Sequence, residues 1–125
     1  MEFFAIADVQ TTSDALQALT VEKLAAYCSD IDKVLAVDSD DKGRVYCVWG
    51  EFAVERQVIN GGIRFTLPGC PNALSWTITT GLPPEPQKVV IHCTINRTEH
   101  EDDFIESIQS FIDAWKLGLE QHVAD

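Results

Sequence analysis

Basic residues are scarce in this chain. Nine Lys and Arg stand against twenty Asp and Glu, a formal charge of −11 over 125 residues. Phosphate backbones and anionic lipid surfaces repel such a molecule unless a local patch outweighs the whole. Arg44, Arg56, Arg64, Lys88 and Arg97 are scattered along the sequence, so no such patch forms. The balance argues against nucleic acid and membrane as partners and in favour of a protein partner, a basic one being electrostatically welcome. Long apolar runs are also missing. None reaches the roughly 18 residues that span a bilayer, and Met1–Ile6 lacks the basic start and apolar stretch of a signal peptide. Cysteine is sparse and unclustered: Cys28, Cys47, Cys70 and Cys93 form no C-x-x-C pair. Cys47 and Cys93 alternate with apolar neighbours, as small buried hydrophobes do. A reduced, cytoplasmic protein is the expectation.

What remains is an ordinary globular balance, 46% hydrophobic and 23% charged, in a length that suits one domain spanning 1–125. Residues Phe3 to Val9 read either as a first strand or as an apolar lead-in. Ser13 and Thr20 are both plausible helix N-caps. From Thr20 to Val37 the apolar positions Val21, Leu24, Ala25, Cys28, Ile31 and Leu35 recur every three or four residues, which predicts an N-terminal helix. The turn-formers Asp38–Gly43 end it.

The middle of the chain then alternates. Val45, Cys47 and Trp49 share one face, followed by Phe52, Val54 and Val58 after Gly50 shifts the phase. Asn60-Gly61-Gly62 is a hairpin signal, since these residues tolerate the positive φ of tight turns. Ile63, Phe65 and Leu67 run to Pro68-Gly69, then Leu74, Trp76 and Ile78 alternate. Gly81-Leu82-Pro83-Pro84-Glu85-Pro86 makes a stiff connection, and Val89, Ile91, Cys93 and Ile95 form the last strand. A long C-terminal helix closes the sequence. Thr98-Glu99-His100-Glu101 fits a capping box, Asp102 and Asp103 suit the positive end of the helix dipole, and Phe104, Ile105, Ile108, Phe111, Ile112, Trp115 and Leu119 trace one apolar stripe. The expected fold is α+β: an antiparallel sheet of four to five strands, with an N-terminal helix and a long C-terminal amphipathic helix packed on one face.

Chemical motifs fail one by one. Asp38, Asp40 and Gly43 occupy the first, third and sixth places of a calcium loop, but Lys42 and Trp49 stand where ligands are required at the fifth and twelfth. His92 and Cys93 point to opposite faces of a strand. His100 lies among acidic residues and His122 near the chain end, so neither suggests a metal. Ser75 and the four cysteines lack any nucleophile motif. Gly61-Gly62 sits between strands, not before a helix, and so is no phosphate loop. Asn96-Arg97-Thr98 matches a glycosylation pattern that has no use without export. Neither cofactor nor metal is expected, and the sequence leans away from an enzyme.

One constellation survives. With the apolar residues facing the helices, the opposite sheet face carries Tyr46, Glu55, Arg64, Thr66, Ser75, Thr77, His92 and Thr94, together with Gln57, Thr79, Lys88, Val48 and Val90. Such a mixture suits a partner surface, a small-molecule cleft or simply a solvated antiparallel face. In size, charge and layout the chain resembles the small acidic chaperones of bacterial secretion systems, which pack helices on a twisted sheet and dimerise, and acidic immunity and inhibitor proteins. It departs from the chaperone layout at Gly69-Cys70-Pro71-Asn72, which leaves no room for a helix between the middle strands. The resemblance implies a protein-binding module, chaperone-like or inhibitor-like, without catalysis. The alternative is a small-molecule-binding domain or small enzyme with its pocket between the sheet and the C-terminal helix. A homodimer through the mixed sheet face is the third expectation.

Overall fold

The computed structural model describes residues 1–96 and 99–122. Its elements run β1 (Glu2–Ala7), α1 (Ser13–Gln17), a 3-10 turn (Val21–Lys23), α2 (Leu24–Tyr27), β2 (Ile31–Ser39), β3 (Lys42–Cys47), β4 (Gly50–Ile59), β5 (Gly62–Thr66), β6 (Ser75–Thr80), β7 (Val89–Thr94) and α3 (Asp102–His122). All seven strands pair antiparallel in one sheet of order β1-β7-β6-β5-β4-β3-β2. The α+β class stands, and the strand number is corrected from four or five to seven.

Both extra strands come from the N-terminal third. The open question at Phe3–Val9 resolves as β1, whose Phe3, Ala5 and Ala7 point inward against β7 while Phe4 points out. The long helix expected from Thr20 stops at Tyr27. Val21, Leu24, Cys28 and Ile31 are buried as the three-and-four spacing demands, but Leu35 is 41% exposed. From Ile31 the β-branched chain pairs instead with β3, only a two-residue turn away at Asp40–Asp41. A ladder with so near a neighbour overrides a helical pattern. Three register shifts interrupt β2, and bulges of this kind on a charged edge strand discourage pairing with another chain.

The caps also differ from expectation. Thr12, not Ser13, caps α1, its hydroxyl accepting from Ala15 N at 3.1 Å. Thr20 precedes the 3-10 turn without a side-chain cap bond. Thr98, expected to cap the last helix, lies outside the described residues; α3 begins at Asp102, and Glu101 O accepts from Phe104 N and Ile105 N.

Elsewhere the pattern is followed closely. Asn60-Gly61 is the two-residue turn between β4 and β5, with Gly61 at φ 83°. The Pro-rich stretch after Gly81 joins β6 to β7. Ile108, Phe111, Ile112, Trp115 and Leu119 of α3 are buried against the inner faces of the strands, with Phe104 and Ile105 partly so. Gly118 lets α3 touch α2, because a Cβ there would meet Tyr27 O at 1.6 Å. Arg56, on the inner phase of β4, ties α1 to the sheet. Its guanidinium donates to Leu19 O at 2.8 Å and to Gln17 O, and pairs with Asp41 at 2.7 Å. The Asp38–Gly43 acidic stretch is thus a hairpin turn held by an arginine.

Candidate functional site

The two-residue period of the strands sorts the candidate side chains into rows on the outer face of the sheet. One row runs across six strands through Lys42, Glu55, Thr66, Ser75, Thr94 and Glu2. The next runs through Gln57, Arg64, Thr77, His92 and Phe4. Glu55, Arg64, Thr66, Ser75, Thr77, His92 and Thr94 therefore form one contiguous patch. Tyr46 does not join it: on β3 it pairs with Glu51 of β4, four residues along that strand from Glu55, and is exposed.

Within the patch the polar groups are engaged separately. Arg64 Nε donates to Ser75 Oγ at 3.0 Å, which satisfies a buried hydroxyl. His92 Nε2 lies 2.9 Å from Glu2 Oε1, and its ring stacks on Phe4 with centroids 4.3 Å apart and planes 3° from parallel. Arg64 and His92 are two strands apart, about 10 Å between Cα atoms at the usual strand spacing. They turn to different partners and form no acid–base pair. Phe4, which sequence reading did not place in the site, is 52% exposed on the same row as Arg64 and His92. Its outward phase became readable only once β1 was known to be a strand.

The charges are unevenly distributed over the molecule. The outer ladders carry Lys33, Lys42, Arg44 and Arg64 against Glu2, Glu51 and Glu55, with Arg44 and Glu51 paired at 3.0 Å. That leaves five cations against seventeen acids over the rest of the chain. The outer face is nearly neutral, and the acid load lies elsewhere.

Burial pushes the thiols of Cys28 and Cys93 up to about 12 and raises that of Cys47 as well, so the nucleophilic thiolate is suppressed at neutral pH. Among the described residues no group of three or more His, Cys, Asp or Glu is placed to hold a metal ion.

Between the sheet and the C-terminal helix, where the alternative expectation puts a pocket, aromatic rings pack together. Phe65, Trp76, Phe111 and Trp115 are all buried there, with Trp76 5.5 Å from Phe65, 4.9 Å from Phe111 and 6.2 Å from Trp115 between centroids. Two indole N–H groups, of Trp76 and Trp115, have no hydrogen-bond partner in that layer. Concavity appears instead at the periphery. A cleft of about 380 Å³ opens where the start of α1 meets the β4–β5 turn and the β6–β7 connection, and a smaller groove of about 120 Å³ separates α2 from α3. The sequence marked Ser13, Asn60, Gly61 and Gly81 individually, but nothing in it brought them together.

No family model and no curated protein sequence matches the chain. Solved structures do. The protein XoxI from Bacillus cereus superposes with a TM-score of 0.67 at 12% identity, over 96% of this chain and 93% of its own. An uncharacterised protein from Bacillus thuringiensis gives 0.60 at 11% identity, covering 94% and 97%. A START superfamily protein from Mycobacterium smegmatis gives 0.57 at 13% identity, covering 96% and 97%. The likeness extends over nearly whole chains and is one of fold, an α+β arrangement of one antiparallel sheet with a C-terminal helix. No helix among the described residues is long and apolar enough to cross a membrane.

Proposed function

We propose that this domain is a non-catalytic binding module, chaperone-like or inhibitor-like, which docks a basic protein partner on the outer face of its sheet. The observation that carries this reading is the contiguous patch formed by seven of the eight candidate residues, with the exposed Phe4–His92 stack beside it. A half-exposed aromatic ring stacked on a histidine, with a threonine and an arginine farther along the same row, has the composition of an interface hot spot. Steering and docking fall to different parts of the molecule. The acidic remainder attracts a basic partner at long range, and the nearly neutral sheet face receives it without burying unpaired like charges.

The test is affinity capture at low salt with the wild-type chain, Phe4→Asp, Arg64→Glu and a helix-face control, Asp113→Lys. The reading expects one basic protein recovered by wild type and control, lost with either face variant and weakened as salt rises. Failure to recover any specific protein overturns it. So does a dimer in sedimentation that Phe4→Asp dissociates, because the face would then be occupied by a second copy.

A second reading has one observation in its favour. The unpartnered indole N–H groups of Trp76 and Trp115 lie in the layer between sheet and α3, and a buried donor without an acceptor carries a penalty of about 1–3 kcal/mol. An apolar ligand bearing one acceptor oxygen would relieve it if α3 moved outward. Quenching or a blue shift of tryptophan emission on titration with a long-chain alcohol would support this reading, and an unchanged spectrum would remove it.

A further inference from the structure

The larger cleft has features that the outer sheet face does not share. One wall is built from two connections locked to each other. Thr80 N donates to Gly61 O at 3.0 Å, Gly81 N to Pro86 O at 3.2 Å, and Thr80 Oγ1 to Lys88 O at 2.9 Å. Gly61 has a positive φ, and a Cβ there would meet Leu82 Cδ1 at 2.8 Å, so the turn lies flat on the leucine. The opposite wall is the segment entering α1. Thr12 spends its hydroxyl on the helix cap, which fixes Thr11 and Ser13 on either side of it at the cleft. This concavity is preformed by backbone hydrogen bonds and does not depend on mobile side chains.

The lining is chemically selective. It offers the hydroxyls of Thr11, Ser13 and Thr80 and the amide of Asn60, beside an apolar plate made by Leu82 and Pro86. Among the described residues the side chains of Thr11, Ser13 and Asn60 show no hydrogen bond to the protein, so their donors and acceptors are available. No lining residue is ionisable, although 23% of the chain is charged and nine residues drawn evenly would include about two charges. A charged ligand would find no counter-ion here, and a purely apolar one would leave the hydroxyls unsatisfied.

We infer that this cleft binds a small, neutral, polyhydroxylated molecule of the sugar or cyclitol class. The C–H face of its ring lies on Leu82 and Pro86, and its hydroxyls exchange hydrogen bonds with Thr11, Ser13 and Asn60. The volume lies near the lower end of the range for small-molecule pockets, about 300–1,000 Å³. An open cleft covers only one side of such a ring, so affinity is on the order of millimolar.

Amide-resolved NMR titration of the full chain tests the inference, with glucose, myo-inositol and inorganic phosphate as separate probes raised to tens of millimolar. Saturable shifts are expected with at least one neutral polyol at residues 11–13, 60–61 and 80–82, and none with phosphate. Thr11→Trp, which fills the cleft from a loop position, abolishes the shifts, and Asn60→Ala weakens the apparent affinity several-fold with the spectrum otherwise preserved. Absence of saturable shifts with both polyols, a response to phosphate as large, or shifts that survive Thr11→Trp would overturn it. Phe4→Asp leaves the polyol response intact, so this outcome and that of the sheet-face proposal are read independently.

Discussion

Gly118→Ala is the sharpest probe of how α3 seats on the rest of the molecule. In a helix interior the exchange alone favours alanine by about 0.8–1.0 kcal/mol. Here the new Cβ would lie 1.6 Å from Tyr27 O and 2.6 Å from the carbonyl carbon behind it. A relaxed C···O contact needs about 3.3 Å or more. The two helices must therefore separate by more than 1 Å, and backbone faces backbone, so no side chain can swing aside. Such overpacking costs typically about 1–3 kcal/mol, occasionally more. The upper part of that range applies because α3 carries Phe111 and Trp115, both buried in the ring layer, and lifting the helix loosens them together. The propensity gain is outweighed, and a net loss of about 2 kcal/mol is expected. For a domain of this size that is a fall in Tm of roughly 6–12 °C. Urea denaturation followed by tryptophan emission and thermal melts by circular dichroism would both report it. Gly69→Ala is the control, since nothing lies within 4 Å of its Cβ position, and it should change stability by no more than about 0.5 kcal/mol. A Gly118→Ala protein as stable as wild type would refute the close approach of α2 and α3.

Two further outcomes follow from buried polar groups. Arg56→Leu strips hydrogen bonds from the carbonyls of Gln17 and Leu19 and leaves Asp41 unpaired; a loss of about 2–4 kcal/mol is expected, and Arg56→Lys, lacking the fork, should recover less than half of it in the same melts. The thiols of Cys28 and Cys93 stay protonated in the fold to about 12, against an ordinary value of 9.0. The unfolded chain therefore binds fewer protons once pH exceeds 9: stability is complete below that value and falls as pH rises toward 12, by up to about 1.4 kcal/mol per pH unit for each thiol. Denaturation series between pH 8 and 11 should show Cys28→Ala and Cys93→Ala flattening the slope, and iodoacetamide on the native protein should label half-exposed Cys70 first.

Much of this fold was legible because its middle and end obey simple periods. Alternation from Val45 to Ile95 located β3 to β7, though Trp49 falls in the β3–β4 turn and Val58 is exposed, and the stripe from Phe104 to Leu119 located α3. The failures share one cause. Between Val21 and Ile31 a short helical segment and the first residue of a strand happen to keep one spacing, so periodicity alone extended the helix through β2. What decided the matter was a partner strand beyond Asp40–Asp41, which is tertiary information. Phe3 to Val9 was left open for the same reason, since β1 is a strand only because β7, some ninety residues later, pairs with it.

The same logic governs the site. A strand whose inner phase is fixed by the core has its outer phase fixed too, so the sequence could name Glu55, Arg64, Thr66, Ser75, Thr77, His92 and Thr94 as facing one way. It could not say which of them are neighbours. That depends on register, and register is set by turns: Asn60-Gly61 places Arg64 opposite Gln57, and the Pro-rich connection places His92 opposite Thr77. Solved structures at 11–13% identity share the fold over nearly their whole lengths, and burial pattern and turn positions are the features of this sequence that specify it. Neither constrains the outer rows or the lining of the cleft beside α1. Those are the positions at which proteins sharing this architecture are free to differ in what they bind.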